Sequence, residues 1–219
     1  MLTYAHRGFG FKENSIQSFV NAFKYFDGIE FDVRLTRDNI PVVIHDYNLL
    51  RTHKINVIIH LHSYEQLKKY HLPTLDQVLK LVSENNKKCL IDIKASSNSQ
   101  FIINYLKKLV DDKKYLSKMF KCIVYTDNLV FYSNIKVLRA YRLLIPEIIN
   151  TNFEGISVQF KDTNYSISKI NKYLSNYPQH HLNIYLQYLK TNSGKKYIAD
   201  IEKKYKSRIS LTSDHKIEV

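Results

Sequence analysis

Short apolar runs recur along the chain, and stretches with helical spacing separate most of them. Residues 2–5, LTYA, form the first run. Residues 14–26 then bring Ile16, Phe19, Val20 and Phe23 to one face, behind Asn14 or Ser15 as N-cap, which predicts a helix. GIEFDV at 28–33 predicts a second strand. A turn at Asp38-Asn39 and the run at 41–44 predict a hairpin strand folded back beside it. Helix 73–85 follows, with Leu75, Val78, Leu79 and Val82 apolar, and then strand 88–94. Beyond these the pattern predicts helix 99–112, strand 120–126, helix 128–138, strand 141–145 and a helical turn at 146–152. Strand 155–160, helix 165–177, strand 182–189, helix 193–205 and strand 208–213 complete it.

Eight strands that alternate with helices, the hairpin strand aside, predict a parallel sheet. Eight such units predict a closed (β/α)8 TIM barrel, here as one domain over residues 1–219. Only DHKIEV follows the last strand, so the eighth helix is expected to be missing or vestigial. A doubly wound open sheet is the alternative. No G-x-G-x-x-G turn follows the first strand, which weighs against its dinucleotide-binding form.

In such a barrel the chemistry sits at the C-terminal ends of the strands. His6 and Arg7 end the first strand, Glu30 and Asp32 lie on the second, and Asp92 and Lys94 lie on the third. Strand residues two apart share a face. If that face is the inner one, three carboxylates and an ammonium converge. Three buried carboxylates cannot all ionise without a compensating charge, and an oxygen-preferring divalent cation, Mg²⁺ or Ca²⁺, supplies one. Ordinary ion pairs with Arg7, Arg34 or Lys94 are the competing reading, and spacing alone leaves both open. His6 and His45, the latter at the end of the hairpin strand, complete a general acid–base set suited to a phosphodiester. The other histidines lie in loops or at element edges and read as structural.

Composition narrows this further. A hydrophobic share of 44% suffices for a sizeable core. The net charge of +13 draws in anions without choosing among them. The lysines are scattered in pairs rather than gathered in a stripe, so no nucleic acid is expected. A transient contact with an anionic membrane surface stays open. Cys89 and Cys122 sit in apolar runs and read as buried free thiols, which suits a reducing compartment. No secretory signal and no membrane-length apolar run is visible, so a soluble, cytoplasmic protein is expected.

AHRG, ENSIQSF, GIEFDVRLTRDNIPVVIHD, LPTLDQVL and LIDIK, in this order, resemble the signature of the glycerophosphodiester phosphodiesterase family. The resemblance covers roughly the first ninety residues block by block. It implies a TIM barrel that hydrolyses small-molecule glycerophosphodiesters, such as glycerophosphocholine or glycerophosphoethanolamine, to glycerol 3-phosphate and an alcohol. It implies that His6 and His45 are the catalytic pair, with His6 as base and His45 as acid or the reverse. It implies that Glu30 and Asp32 are metal ligands and that Arg7 and Lys94 contact the phosphate. Asp92 stands where the family usually has Glu, one methylene longer. Glu13 and Asn14 match its Glu-Asn pair, with Lys12 in place of the usual preceding proline, and Glu13 is expected at or just behind the metal. The segment from Asp46 to Pro73 is short for the family, Gln187 stands where Trp is common, and LTSDH resembles its closing Thr-Asp motif with one residue inserted. A lysophospholipase D-type enzyme at membrane surfaces and a non-catalytic binding barrel are the alternatives.

Overall fold

Eight parallel strands close into a ring in the computed structural model. It describes residues 1–94, 99–113, 119–124, 132, 135–141, 153, 155–160, 167–186, 199–200, 203–205 and 208–214. The strands are β1 (Leu2–His6), β2 (Gly28–Leu35), β3 (Pro41–Val43), β4 (Lys88–Ile93), β5 (Phe120–Val124), β6 (Val137–Tyr141), β7 (Gly155–Phe160), β8 (His181–Leu186) and β9 (Ile209–Ser213). β3 stands outside the ring and pairs antiparallel with the far end of β2. The other eight pair in parallel in chain order, and β9 returns to β1. The chain therefore has the TIM-barrel fold that the alternation predicts.

The helices are α1 (Ile16–Ala22), α2 (Leu50–His53), α3 (Tyr64–Leu67), α4 (Leu75–Glu84), α5 (Ser99–Asp112) and α6 (Ile167–Asn176). Ser15 caps α1 and Thr74 caps α4, each in a reciprocal pair with the residue three positions on. Leu75, Val78, Leu79 and Val82 line the buried face of α4. They share a core with Phe31, Val33, Ile91 and Ile93 from the outer face of the ring. Burying each of these side chains contributes about 1.5–3 kcal/mol. A charge at Val78 would break this layer.

Inside the ring, Tyr4, Leu90, Ile123 and Leu138 pack together. Opposite them lies a buried polar web. Asn183 Nδ2 donates to Ser157 Oγ at 3.0 Å, and Ser210 Oγ and Thr212 Oγ1 donate to Asn183 Oδ1 at 2.8 and 3.2 Å. These groups satisfy one another, so the barrel interior tolerates them. Toward the C-terminal rim, the register sets His6 beside Glu30 and Asp32 beside Asp92. Residues 47–72 form a cap on β3. Its own small core is Val42, Ile44, Leu49, Ile59, Leu67 and Leu72.

One boundary departs from the expectation. The strand expected at 141–145 begins at Val137, where the spacing predicts a helix through residue 138. Ile135, Val137 and Leu138 are all buried. A strand covered on both faces loses its alternation and imitates helical spacing. The expected helical turn at 146–152, most of helix 193–205, Gln187 and residues 215–219 lie outside the described residues. Cys89 and Cys122 are free and buried, and burial raises both thiol pKa values. Among the described residues no helix is long and apolar enough to cross a membrane.

Candidate active site

The turn after β1 brings the first residues together. Arg7 adopts a left-handed backbone, and its N–H donates to the Glu30 carbonyl at 2.9 Å and to Glu30 Oε2 at 3.2 Å. Gly8 follows with φ of 91°, and a Cβ there would lie 2.2 Å from Ser18 Oγ. Only glycine fits this turn without strain. The loop then returns through Asn14, which is buried and donates from Nδ2 to Asp32 Oδ2 at 2.8 Å.

Glu30, Asp32 and Asp92 face the same interior, all buried. One oxygen from each lies within 4.8 Å of the others. Lys94 Nζ sits 2.6 Å from Asp92 Oδ2 and 3.0 Å from Asp32 Oδ1, and Arg7 Nε sits 3.1 Å from Asp32 Oδ2. The ion pairs that compete with a metal in the sequence therefore form at Asp32 and Asp92. Among the described residues, no ammonium or guanidinium pairs with Glu30 in this way; its neighbour is His6 Nε2 at 3.9 Å.

The electrostatics follow. Burial, and then the charge of Asp32, raises the Glu30 pKa well above the carboxylate range. Burial acts the same way on Asp32, but Lys94 and Arg7 outweigh it and hold its pKa low. Asp32 Oδ1 is buried and makes no directed hydrogen bond, despite the nearby ammonium. A close set of buried oxygen donors, one of them with its pKa raised by burial and by the charge of Asp32, fits a hard divalent cation. Three oxygens at most 4.8 Å apart lie no more than about 2.8 Å from a common point, so a small inward adjustment brings an ion there to the usual distance of roughly 2.3–2.6 Å.

Both histidines at the rim are oriented by a carboxylate. His6 Nδ1–H donates to Asp214 Oδ1 at 2.6 Å. Tyr185 lies tilted against the His6 ring, with its OH 2.9 Å from Nδ1 and donating to Asp214 Oδ2 at 3.1 Å. His45 Nδ1–H donates to Asp46 Oδ1 at 2.7 Å. A carboxylate only accepts, so each Nδ1 carries the proton and each Nε2 is left to exchange one. Burial lowers the His6 pKa, but Glu30 and Asp214 more than offset it, and the net shift is upward. The guanidinium of Arg34 donates from Nε to the His45 carbonyl at 2.8 Å, so it anchors the hairpin rather than pairing with the acids.

The structure thus gathers His6, Arg7, Asn14, Glu30, Asp32, Asp92 and Lys94 at one mouth. Glu13 lies one step back, bonded to Arg7 and Arg51. Asp214, Tyr185 and Arg51 are not singled out by sequence reasoning. The LTSDH ending signals Asp214; nothing in local spacing marks the other two. His62 Nδ1 is held by the Ile58 carbonyl. His53 and His71 line a groove of about 590 Å³ that Glu13 and Asn14 also border.

The sequence profile of the glycerophosphoryl diester phosphodiesterase family matches residues 6–148. The chain belongs to that family. A glycerophosphodiester phosphodiesterase of Bacillus altitudinis is 35% identical over 99 residues, 38% of this chain and 40% of that protein. An uncharacterised Mycoplasma genitalium protein is 38% identical over 126 residues, 50% of this chain and 51% of its own. The chain thus spans about half the length or less of these curated relatives. Solved structures extend the likeness of fold to nearly the whole chain. The glycerophosphodiester phosphodiesterase of Agrobacterium tumefaciens superposes with a TM-score of 0.75 at 15% identity, covering 98% of this chain and 96% of that one. An Oleispira antarctica phosphodiesterase, solved with the product sn-glycerol-3-phosphate, superposes at 0.69 with 16% identity and covers 99% and 94%.

Proposed function

We propose that this protein hydrolyses glycerophosphodiesters to glycerol 3-phosphate and an alcohol, with a divalent cation held by Glu30, Asp32 and Asp92. The observation that carries the reading is the meeting of these three buried carboxylates, within 4.8 Å, at a rim with two carboxylate-oriented imidazoles. When bound, Mg²⁺ or Ca²⁺ would supply positive charge to the phosphate oxygens and to the acid cluster.

The chain's own residues do the rest. Asn14 and Arg7 fix the Asp32 carboxylate. Arg7 and Lys94, already at the cluster, offer charged N–H donors to the non-bridging oxygens of the substrate. His6 Nε2 takes a proton from the attacking water as the new O–P bond forms, or from a neighbouring substrate hydroxyl, in which case water opens the resulting cyclic phosphodiester in a second step. His45 Nε2 gives a proton to the alkoxide that leaves. Imidazole suits both tasks because its pKa lies near neutrality.

Purified protein is expected to release the alcohol from glycerophosphocholine or glycerophosphoethanolamine, and EDTA is expected to stop it. His6→Ala and His45→Ala should each lower kcat by about 10²- to 10⁴-fold. Near-full turnover by both variants would end the two-histidine mechanism. A second reading has its own observation. Phe11, Tyr47 and Leu50 are exposed within two residues of Glu13, Asp46 and Arg51. With a net charge of +13, they favour transient contact with an anionic membrane and turnover of lysophospholipids. Rates on water-soluble diesters against lysolipid micelles separate the two.

A further inference from the structure

Arg51 belongs to the cap, not to the barrel. It lies on α2, and its side chain is half exposed. Yet its guanidinium reaches two carboxylates from two other segments. Nε donates to Asp46 Oδ2 at 2.6 Å. Nη1 donates to Glu13 Oε2 at 2.9 Å, and Nη2 donates to Glu13 Oε1. A planar fork that satisfies two acids at once is a task for arginine and not for lysine.

Each acid continues inward. The other oxygen of Asp46 holds His45 Nδ1, so one arm runs Arg51–Asp46–His45. Glu13 Oε2 also accepts from Arg7 Nη1 at 3.4 Å, and Arg7 Nε lies 3.1 Å from Asp32 Oδ2. The second arm therefore runs Arg51–Glu13–Arg7–Asp32. Without the guanidinium, Glu13 and Asp46 would lose the cation they share. Asp46 would turn toward water and release the imidazole it orients. We infer that Arg51 is a positioning residue: the cap uses it to lock His45 in one tautomer and to hold Arg7 against the acid cluster. The inference rests on the two-histidine reading for its kinetic consequence, but not for its structural one.

The test compares native protein with Arg51→Met and Arg51→Lys. Proton–nitrogen correlation of the His45 ring needs no turnover. In native protein it should show a proton fixed on Nδ1, and in Arg51→Met a mixture of tautomers. With glycerophosphocholine and Mg²⁺, Arg51→Met should lose up to about 100-fold in kcat, as expected when a reacting group is misplaced, and KM should rise as Arg7 loosens its hold on the phosphate. Arg51→Lys should recover only part of this. Ethylguanidinium added to Arg51→Met should restore a saturable fraction, which a general loss of folding would not allow. A fixed Nδ1 proton in folded Arg51→Met overturns the inference, as does a kcat within threefold of native. If native protein turns over no diester, the hydrolase reading fails instead, and the ring spectrum alone decides the role of Arg51.

Discussion

Asp92 sits where a longer acid is usual in the family, and its carboxylate nonetheless meets those of Glu30 and Asp32. Parallel register explains this, because Asp92 lies directly beside Asp32 on the next strand. Asp92→Glu should therefore retain activity. Asp92→Ala should weaken Mg²⁺ or Ca²⁺ binding by roughly 100-fold or more, since removing even a group that only orients a metal ligand costs about 10- to 100-fold. Calorimetric titration with either ion checks both, and unchanged affinity in Asp92→Ala would remove it from the ligand set. Asp214 raises a different question. As a base, His6 must be unprotonated, so turnover should climb with pH through its raised pKa. Asp214→Asn removes one of the charges that raise it. The acid limb of kcat/KM should then move to lower pH while kcat falls; a shift to higher pH would refute the base assignment. The paired acids were legible because strand residues two apart share a face. The Asp214–His6 bond was not, because it joins positions 208 residues apart and exists only once the barrel closes.

The loop from β1 to α1 shows what an element contributes beyond its side chains. Arg7 and Asn14, both left-handed, face each other through a hydrogen bond from the Asn14 N–H to the Arg7 carbonyl at 2.8 Å. Gly8 lets Ser18 close under this loop while Ser18 also completes the cap of α1. Gly8→Ala should cost about 1–3 kcal/mol in strain. It should also displace Arg7, so that thermal midpoint and turnover fall together. A midpoint within a degree of native would show that the loop yields freely. Most helices and strands were legible because their apolar spacing follows the ring and its outer layer. β6 was not, because both of its faces are buried. The cap was read only as a short segment. Its turns follow from its contacts with β3 rather than from any period of their own.

At the scale of the whole molecule, closing the ring makes a second pole, away from the mouth, where the strands begin. His181 starts β8 there, with its Nε2 2.9 Å from Ser210 Oγ. Gly155 crosses so near that a Cβ would lie 1.9 Å from the His181 carbonyl. Burial first, and then the charges of Lys121, Lys136 and Arg208, push the imidazole pKa from 6.5 down to about 3. The unfolded chain therefore takes up this proton as pH falls through 6.5, while the folded chain refuses it until about 3. The stability this neutral ring contributes is fully present above 6.5 and shrinks as pH drops below it. The loss from this one site should reach about 2 kcal/mol at pH 5. Urea unfolding of native protein and of His181→Asn, at pH 7 and pH 5, measures it. The native chain should lose more stability between the two, by roughly that amount, whatever the variant costs at pH 7. Equal losses would mean that the ring is hydrated and that the basic pole does not exclude its charge. Among the histidines read as structural from their positions, His181 meets these cations only once the barrel assembles, because Lys121 lies on β5 while Lys136 and Arg208 directly precede β6 and β9.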